Sequence, residues 1–530
     1  MMGVLKKTLN LNAWSRLFSD ANLTKKASLN AVAAGLDYGA RLLIGFLITP
    51  ALVSGLGDYQ YGLWQVLGRL TGYLTAASGR PTQTLKWTLA NMQHSLDYEE
   101  KRRDVGSAVA AWLIFTPLIL SFGGLLIWFI PMWLDVPPEN TWTVRVATGV
   151  LVIKMALISL VALPQSALEG ENLGYKRMGL SATLVMLGGG FTVLALYLNT
   201  GLVGVATATL VTTLLTGLFY LQVVRSQVPW FGIARPTFQG LSRFLGLSWW
   251  FLVWRLVMQL MMASDVVLLG IFASVDMVTS YSLTKYVPET LVSLVAVVVF
   301  GITPGLGGII GSGDLKKARR VRSEIMAFTW LIATILGAMV LLWNEPFVRL
   351  WVGTGYYSGA MPNLLIMVMT IQFVLIRNDA NVIDLTLNLP KKVLLGVLSV
   401  TLSTAMAIGL MRIYDLGIIG LVLGSIAGRL ILSLSYPLII GRFLNISLGS
   451  QFMGVTRPTL VTLLVFSLLS GPEIFFNAPT WLVVDSWLGL IFSVGASFVG
   501  VSAFVFFAGL SGPQRSGIIN RVQRLVAASN

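Results

Sequence analysis

From about residue 28 to residue 510, long apolar blocks alternate with short polar segments. Residues 108–133, 201–224 and 486–510 carry no charged side chain. Each meets or exceeds the roughly 20 residues that a helix needs to cross a bilayer core. The blocks and their polar breaks predict fourteen spanning helices. Their positions are 28–55, 59–80, 106–134, 142–166, 174–198, 201–224, 246–271, 275–309, 323–343, 361–387, 393–411, 416–440, 455–475 and 483–510. The expected fold class is therefore an all-α integral membrane protein.

The polar breaks give this string of helices a direction. With the N-terminus cytoplasmic, inside loops and adjoining helix ends carry 27 of the 37 Lys and Arg residues, and the outside segments carry 3. Arg80 to Arg103 and the run from Lys316 to Arg322 are the densest inside clusters. That asymmetry follows the positive-inside rule and places both termini in the cytoplasm. An odd number of helices would invert every later loop and spoil the split. The net charge of +15 is accounted for by loops facing an anionic leaflet, so no nucleic-acid partner is expected. Only 11% of the 530 residues are charged and 55% are hydrophobic, which excludes a soluble fold. The absence of cysteine excludes disulfides, thiolate metal sites and a cysteine nucleophile. The single His94 falls between helices. The first 27 residues are polar and basic, with no expected cleaved signal peptide. No phosphate-binding Gly-rich loop of the Walker type occurs, so no ATP hydrolysis is expected.

Two stretches about 220 residues apart resemble each other. The first turns at Gly57-Asp58, enters a helix at Tyr61-Gly62-Leu63-Trp64 and reaches Lys101-Arg102-Arg103. The second turns at Val275-Asp276, enters at Tyr281-Ser282-Leu283-Thr284 and reaches Lys316-Lys317. Both hold an outside-to-inside helix, the second of its set of six. The expected organisation is a cytoplasmic segment 1–27, an N-lobe 28–225, a linker 226–245, a C-lobe 246–440, two further helices in 455–510 and a tail 511–530. Lobes of six helices share one orientation and are related by an axis along the membrane normal, a recurrent transporter plan.

Charge inside a bilayer is costly unless it faces a cavity or a partner, so buried ionisable residues are the candidates for function. Arg41, Arg69, Arg255 and Lys285 all fall at middle depth, in the first two helices of the two lobes. Asp37 lies four residues from Arg41, and Glu289 four from Lys285, spacings that share a helix face. Asp265 falls near the outer end of helix 7. A guanidinium fork suits phosphate, so Arg41, Arg69, Arg255 and Lys285 are the expected substrate-binding residues and an anionic headgroup the expected ligand. The rival reading is that these charges are neutralised pairs holding helices together. Asp37, Glu289 and Asp265 are assigned to pairing or coupling; H+ or Na+ coupling stays open, and no cofactor is expected. Lys154 and Arg429, also at mid-depth, are free to pair, snorkel or line a cavity. Arg377, Asp379 and Asp384 read as inner-end pairing or an inner gate rather than substrate binding. Pro288 and Pro50 are the expected hinges, because proline removes a helix donor. Gly188-Gly189-Gly190 reads as close helix packing.

The stretches ITPALVSGLGDYQYGLW (48–64) and DVVLLGIFASVDMVTSYSL (265–283) resemble the hairpin signature of polysaccharide flippases. With the helix count and lobe order, the chain resembles Wzx-type exporters of the multidrug/oligosaccharidyl-lipid/polysaccharide (MOP) superfamily. The resemblance implies a V-shaped, MATE-like pair of lobes and alternating access. It also implies export of an undecaprenyl-diphosphate-linked oligosaccharide across the bacterial inner membrane, for surface polysaccharide synthesis. Arg41, Arg69 and Arg255 would hold the diphosphate, with Lys285 assisting. Membrane lipids, a polysaccharide polymerase and chain-length proteins are the implied partners. A lipid II flippase and a MATE antiporter share that fold and stay open. Readings of another class, a membrane glycosyltransferase or polymerase and an envelope assembly scaffold, stay open as well. Against the enzymes, the longest external loops, near 344–360 and 472–482, are short and lack histidine.

Overall fold

A computed structural model describes residues 23–78, 81–93, 95–177, 179–238, 241–242, 249–311, 313–385, 389–476, 484–512, 514–517 and 523. His94, most of the N-terminal segment, part of the linker and most of the tail lie outside the described residues. Everything regular among the described residues is helical. A run from Leu23 to Tyr73 breaks at Gly57, whose φ of 74° and ψ of 169° leave the helical region. It is therefore two helices, α1 (23–56) and α2 (58–73). A positive φ costs glycine little, because it has no Cβ to clash with the carbonyl. The break is at Gly57; the chain stays helical through Pro50.

In order there follow α3 (Pro81–Asn91), α4 (Tyr98–Trp133), α5 (Pro138–Val161), α6 (Leu163–Gly170), α7 (Leu180–Tyr197) and α8 (Gly201–Gln227). Then come α9 (Trp249–Phe272), α10 (Val275–Gly311), α11 (Leu315–Val352), α12 (Ala360–Leu385) and α13 (Leu389–Ile413). The last three are α14 (Gly417–Leu444), α15 (Leu448–Phe476) and α16 (Trp487–Gly509). Among the described residues, 12 stretches are long and apolar enough to cross a membrane. One of them, Gly35–Tyr73, runs through the Gly57 break and holds parts of both α1 and α2. The 37-residue α10 is also long enough to cross a bilayer core. The architecture is an all-helical membrane protein in which each predicted span has its helix.

The differences lie at helix ends. The span predicted at 323–343 is the middle of α11, which starts at Leu315 and ends at Val352. Charge marks where lipid ends, whereas helix continues wherever backbone bonds are satisfied. Asp314 caps α11 by accepting the Lys317 amide hydrogen at 2.9 Å. Asp97 does the same for Glu100 at the head of α4. The short α3 was not predicted; it packs on α6, where Lys86 bonds Glu169 at 2.9 Å.

The chain divides into two compact units, Met1–Gly57 with Leu70–Leu252, and Asp58–Arg69 with Val253–Asn530. In the first, Leu85, Leu89, Val105, Leu168 and Val224 form a buried cluster around α3, α4, α6 and α8. Gly188 and Gly189 serve close packing as expected: a Cβ would meet Thr212 at 2.7 Å and Ile48 at 2.4 Å. In the second, α13 and α14 approach nearest where small residues face. A Cβ on Gly424 or Gly428 would stand 2.3 Å from the backbone nitrogen of Ala407 or Ser403. Apolar pairs gain little from leaving lipid, so such backbone proximity and dispersion hold membrane helices together. Large apolar side chains instead crowd the exposed faces, as Leu488, Ile491, Phe492, Val499 and Phe507 do on α16.

The absence of cysteine gives a clean test of direction. Cysteines replacing Glu139 and Thr354, both exposed in loops or at a helix start on the predicted outer side, should react with an impermeant thiol reagent applied to spheroplasts. Those replacing Glu99 and Lys317 should react only after permeabilisation. The reverse labelling would overturn the assigned orientation.

Candidate functional site

The second unit contains a cluster of ionisable side chains at the middle of its helices. It is built from helical spacing. On α10, Tyr281, Lys285 and Glu289 fall at intervals of four and so share one face. On α9, Met261 and Asp265 are one turn apart. The Asp58–Arg69 segment presents Arg69, and α14 presents Arg429.

Asp265, 2% exposed, is the hub. Its Oδ2 accepts from the Tyr281 hydroxyl at 2.5 Å and is bridged by the Lys285 ammonium. Its Oδ1 accepts the Val266 amide hydrogen at 2.9 Å. Arg69 forms a two-pronged bridge to Glu289, Nη1 to Oε1 at 3.0 Å and Nη2 to Oε2 at 2.9 Å. Arg429 is buried, donates to the Met261 carbonyl and lies 5.7 Å from the Phe373 ring centre. Lys285, Glu289 and Arg429 meet in one small cavity of about 30 Å³, with Met261, Met262 and Phe373 among its walls. That is room for about one water molecule. Three cations face two carboxylates, so the cluster carries one positive charge in excess. Buried charge persists only when paired and hydrogen-bonded, and here Asp265 and Glu289 supply that pairing.

The structure thus separates the four predicted cations. Arg69 and Lys285 are engaged by Glu289 and Asp265. Asp265, placed by sequence near the end of its helix, is the bridging partner of Lys285. The i,i+4 spacing of Lys285 and Glu289 had suggested those two as partners; Glu289 instead takes the fork of Arg69 from another helix. Arg41 is exposed on α1 and Arg255 is partly buried on α9, and neither makes an ion pair among the described residues. Asp37 is buried. Pro288 lies within continuous helix, one residue before Glu289. Asp379 and Asp384 pair as expected, with Arg322 at 2.8 Å and Lys392 at 2.5 Å.

Tyr281 escaped sequence reasoning; it stands one turn before Lys285, which is the signal that would have found it. Arg429 had been left open between pairing, snorkelling and lining a cavity, and it lines the small one.

Toward the predicted outer side, Thr279 donates to the Asp58 carbonyl at 2.6 Å and Tyr356 donates to the Asp58 carboxylate at 2.6 Å. The bond to Asp58 raises the Tyr356 phenol above its ordinary range, since deprotonation would set two anions together. Thr279 and Asp58 are 221 residues apart, Arg69 and Glu289 are 220. That offset equals the one between the two similar stretches of sequence, so the helices they share are joined at both levels.

No protein-family model and no curated protein matches the sequence. Solved structures do. The lipid II flippase MurJ in an inward closed conformation superposes with a TM-score of 0.63 at 13% identity, covering 90% of this chain and 98% of MurJ. An inward-facing multidrug resistance MATE transporter of the MOP superfamily superposes at 0.57 with 16% identity, over 78% of this chain and 99% of its own. An outward-facing MATE transporter gives 0.56 at 15% identity, over 80% and 97%. The chain shares the fold of these transporters. The MATE structures are matched almost whole and leave about a fifth of the chain over, whereas MurJ leaves a tenth.

Proposed function

We propose that this protein is an alternating-access flippase. Its substrate in this reading is an undecaprenyl-diphosphate-linked oligosaccharide, turned from the cytoplasmic to the periplasmic leaflet of a bacterial inner membrane. The fold supports a transporter rather than an enzyme. The observation that carries the substrate class is the contrast among the mid-depth cations. Arg69 and Lys285 have carboxylates, while Arg41 and Arg255 lack them among the described residues. A guanidinium at membrane depth costs several kcal/mol unless water or an anion meets it, on the order of 2.5–3.5 kcal/mol on insertion scales. A diphosphate offers Arg41 and Arg255 two-pronged partners. The same residues repel a cationic drug, which argues against MATE-type antiport. In this reading Asp265 and Glu289 hold Lys285 and Arg69 in place until substrate or a proton competes for them. Pro288, between Lys285 and Glu289, serves as hinge.

Lipid II is the second reading, favoured by the longer span over which MurJ is matched. It presents the same diphosphate with a different glycan.

Reconstitution decides among these. Proteoliposomes should exchange labelled undecaprenyl-diphosphate-oligosaccharide between leaflets, and Pro288→Ala should slow that exchange with protein yield unchanged. Exchange of lipid II alone would replace the glycan assignment. Transport of a cationic dye with no lipid exchange would overturn the proposal.

A further inference from the structure

A second cavity lies in the second unit, apart from the ionisable cluster. It measures about 600 Å³ and is bounded by α11, α12, α14 and α15. Its two ends differ in chemistry. At the basic end stand Lys316, Arg319, Arg320 and Arg322, all on the first two turns of α11. Further along, Met326, Trp330, Leu375, Ile376 and Leu432 make the wall apolar. From Lys316 to Trp330 is fourteen residues, roughly 20 Å along a helix. Half of a bilayer's hydrocarbon core is about 15 Å thick, so the cavity runs from headgroup level through about one leaflet. A volume of this size suits a small-molecule ligand or part of a lipid.

The basic end is not neutralised from within. Arg322 bonds Asp379 through Nη2 at 2.8 Å and Gln451 through Nη1 at 2.9 Å. Arg322 is 7% exposed, and its Nε–H is buried with no acceptor among the described residues. Arg320 reaches Glu324 at 3.2 Å in an exposed pair. Arg319 donates its Nε to the Leu444 carbonyl at 2.6 Å, which fixes the guanidinium without cancelling its charge. Lys316 is exposed and makes no ion pair among the described residues. Four cations against Asp379 and Glu324 leave two positive charges at the mouth of an apolar slot.

We infer that this cavity binds an anionic phospholipid of the surrounding leaflet, with its phosphate on Lys316, Arg319 and Arg322 and the upper part of one acyl chain against Trp330 and Leu432. The site is separate from that of the transported substrate and independent of the substrate's identity. The charge runs the right way: by the positive-inside rule this end faces the cytoplasmic leaflet, where anionic lipid attracts basic residues. A free phosphate would leave the apolar length unfilled, and a zwitterionic lipid would leave the excess charge unmet.

The test uses the full-length protein, delipidated in detergent, with bound lipid counted by native mass spectrometry and melting followed by thermal shift. Phosphatidylglycerol should bind saturably at one site and raise the melting temperature. Phosphatidylcholine of the same chains and inorganic phosphate should do neither. The Lys316→Ala/Arg319→Gln variant should lose about tenfold or more in phosphatidylglycerol affinity, as loss of charged hydrogen bonds predicts. A second variant guards against a folding defect. Gly454 lines the cavity, and a Cβ there meets nothing within 4 Å, so Gly454→Trp should fold and block entry of the lipid. Equal binding of phosphatidylcholine would make the lipid merely annular. Equal stabilisation by phosphate alone would make this a phosphate site. Undiminished phosphatidylglycerol binding in both variants would overturn the assignment, whatever leaflet-exchange assays show.

Discussion

Replacing Asp265 by alanine should cost this protein more stability than any other single change in the ionisable cluster, on the order of 3–5 kcal/mol. The carboxylate is buried and serves the Lys285 ammonium, the Tyr281 hydroxyl and the Val266 amide together. Its removal strands an ammonium and a phenol in a region from which water is largely excluded. Breaking one side of a buried pair is far costlier than replacing both sides, because the unpaired charge keeps its full desolvation penalty. Asp265→Ala should therefore lower the melting temperature and the monodisperse yield in detergent. The matched Asp265→Asn/Lys285→Met variant should recover most of the loss. If Asp265→Ala melts like the parent protein, the buried bridge is not what holds α9 to α10. If the double variant is stable but cannot move substrate, the pair has a transport role in addition to its structural one.

Arg41→Gln and Arg255→Gln should behave in the opposite way, with little change in melting and a large loss of transport. Neither side chain has an ion-pair partner to strand among the described residues, so each loss leaves folding nearly intact. Each fork is proposed to hold substrate phosphate. A hydrogen bond to a charged group contributes about 1.5–3 kcal/mol, which is tenfold or more in affinity for each residue. Arg→Lys at either position should retain part of the activity, since charge survives while the planar fork does not. Leaflet exchange in proteoliposomes, read beside thermal stability, separates the two classes. Normal exchange by the Arg41→Gln/Arg255→Gln double variant would remove the diphosphate from the proposal and leave the fold untouched. Arg69→Gln is a less clean probe, because it also strands Glu289.

Much of this architecture is legible along the chain. Hydrocarbon tolerates only stretches whose backbone is internally bonded and whose side chains are apolar, so span number and approximate position are local properties. The break at Gly57 was visible as Gly-Asp between two apolar blocks. The packing role of Gly188 and Gly189 was visible as a run too small to serve anything else. Ionisable residues at mid-depth are equally conspicuous, and Arg69, Lys285, Asp265 and Glu289 do meet in one cluster.

Partnership is a different matter. Helical spacing relates residues of one helix, and it suggested Lys285 with Glu289 because four residues return to the same face. The bridges that form run between helices, Lys285 to Asp265 and Arg69 to Glu289, since a side chain buried at an interface takes the oppositely charged group facing it. Which groups face each other depends on how helices are rotated and offset, and nothing local sets those two quantities. The same reason hid the α11–α15 cavity: its cations were counted as one more basic cytoplasmic run, and the apolar slot behind them is closed by two helix pairs, α11 with α12 and α14 with α15, from separate stretches of the chain. Apolar content and loop charge are sums over neighbours in the chain and survive without a fold, whereas pairing, solvent exclusion and cavity shape exist only once separate helices are packed.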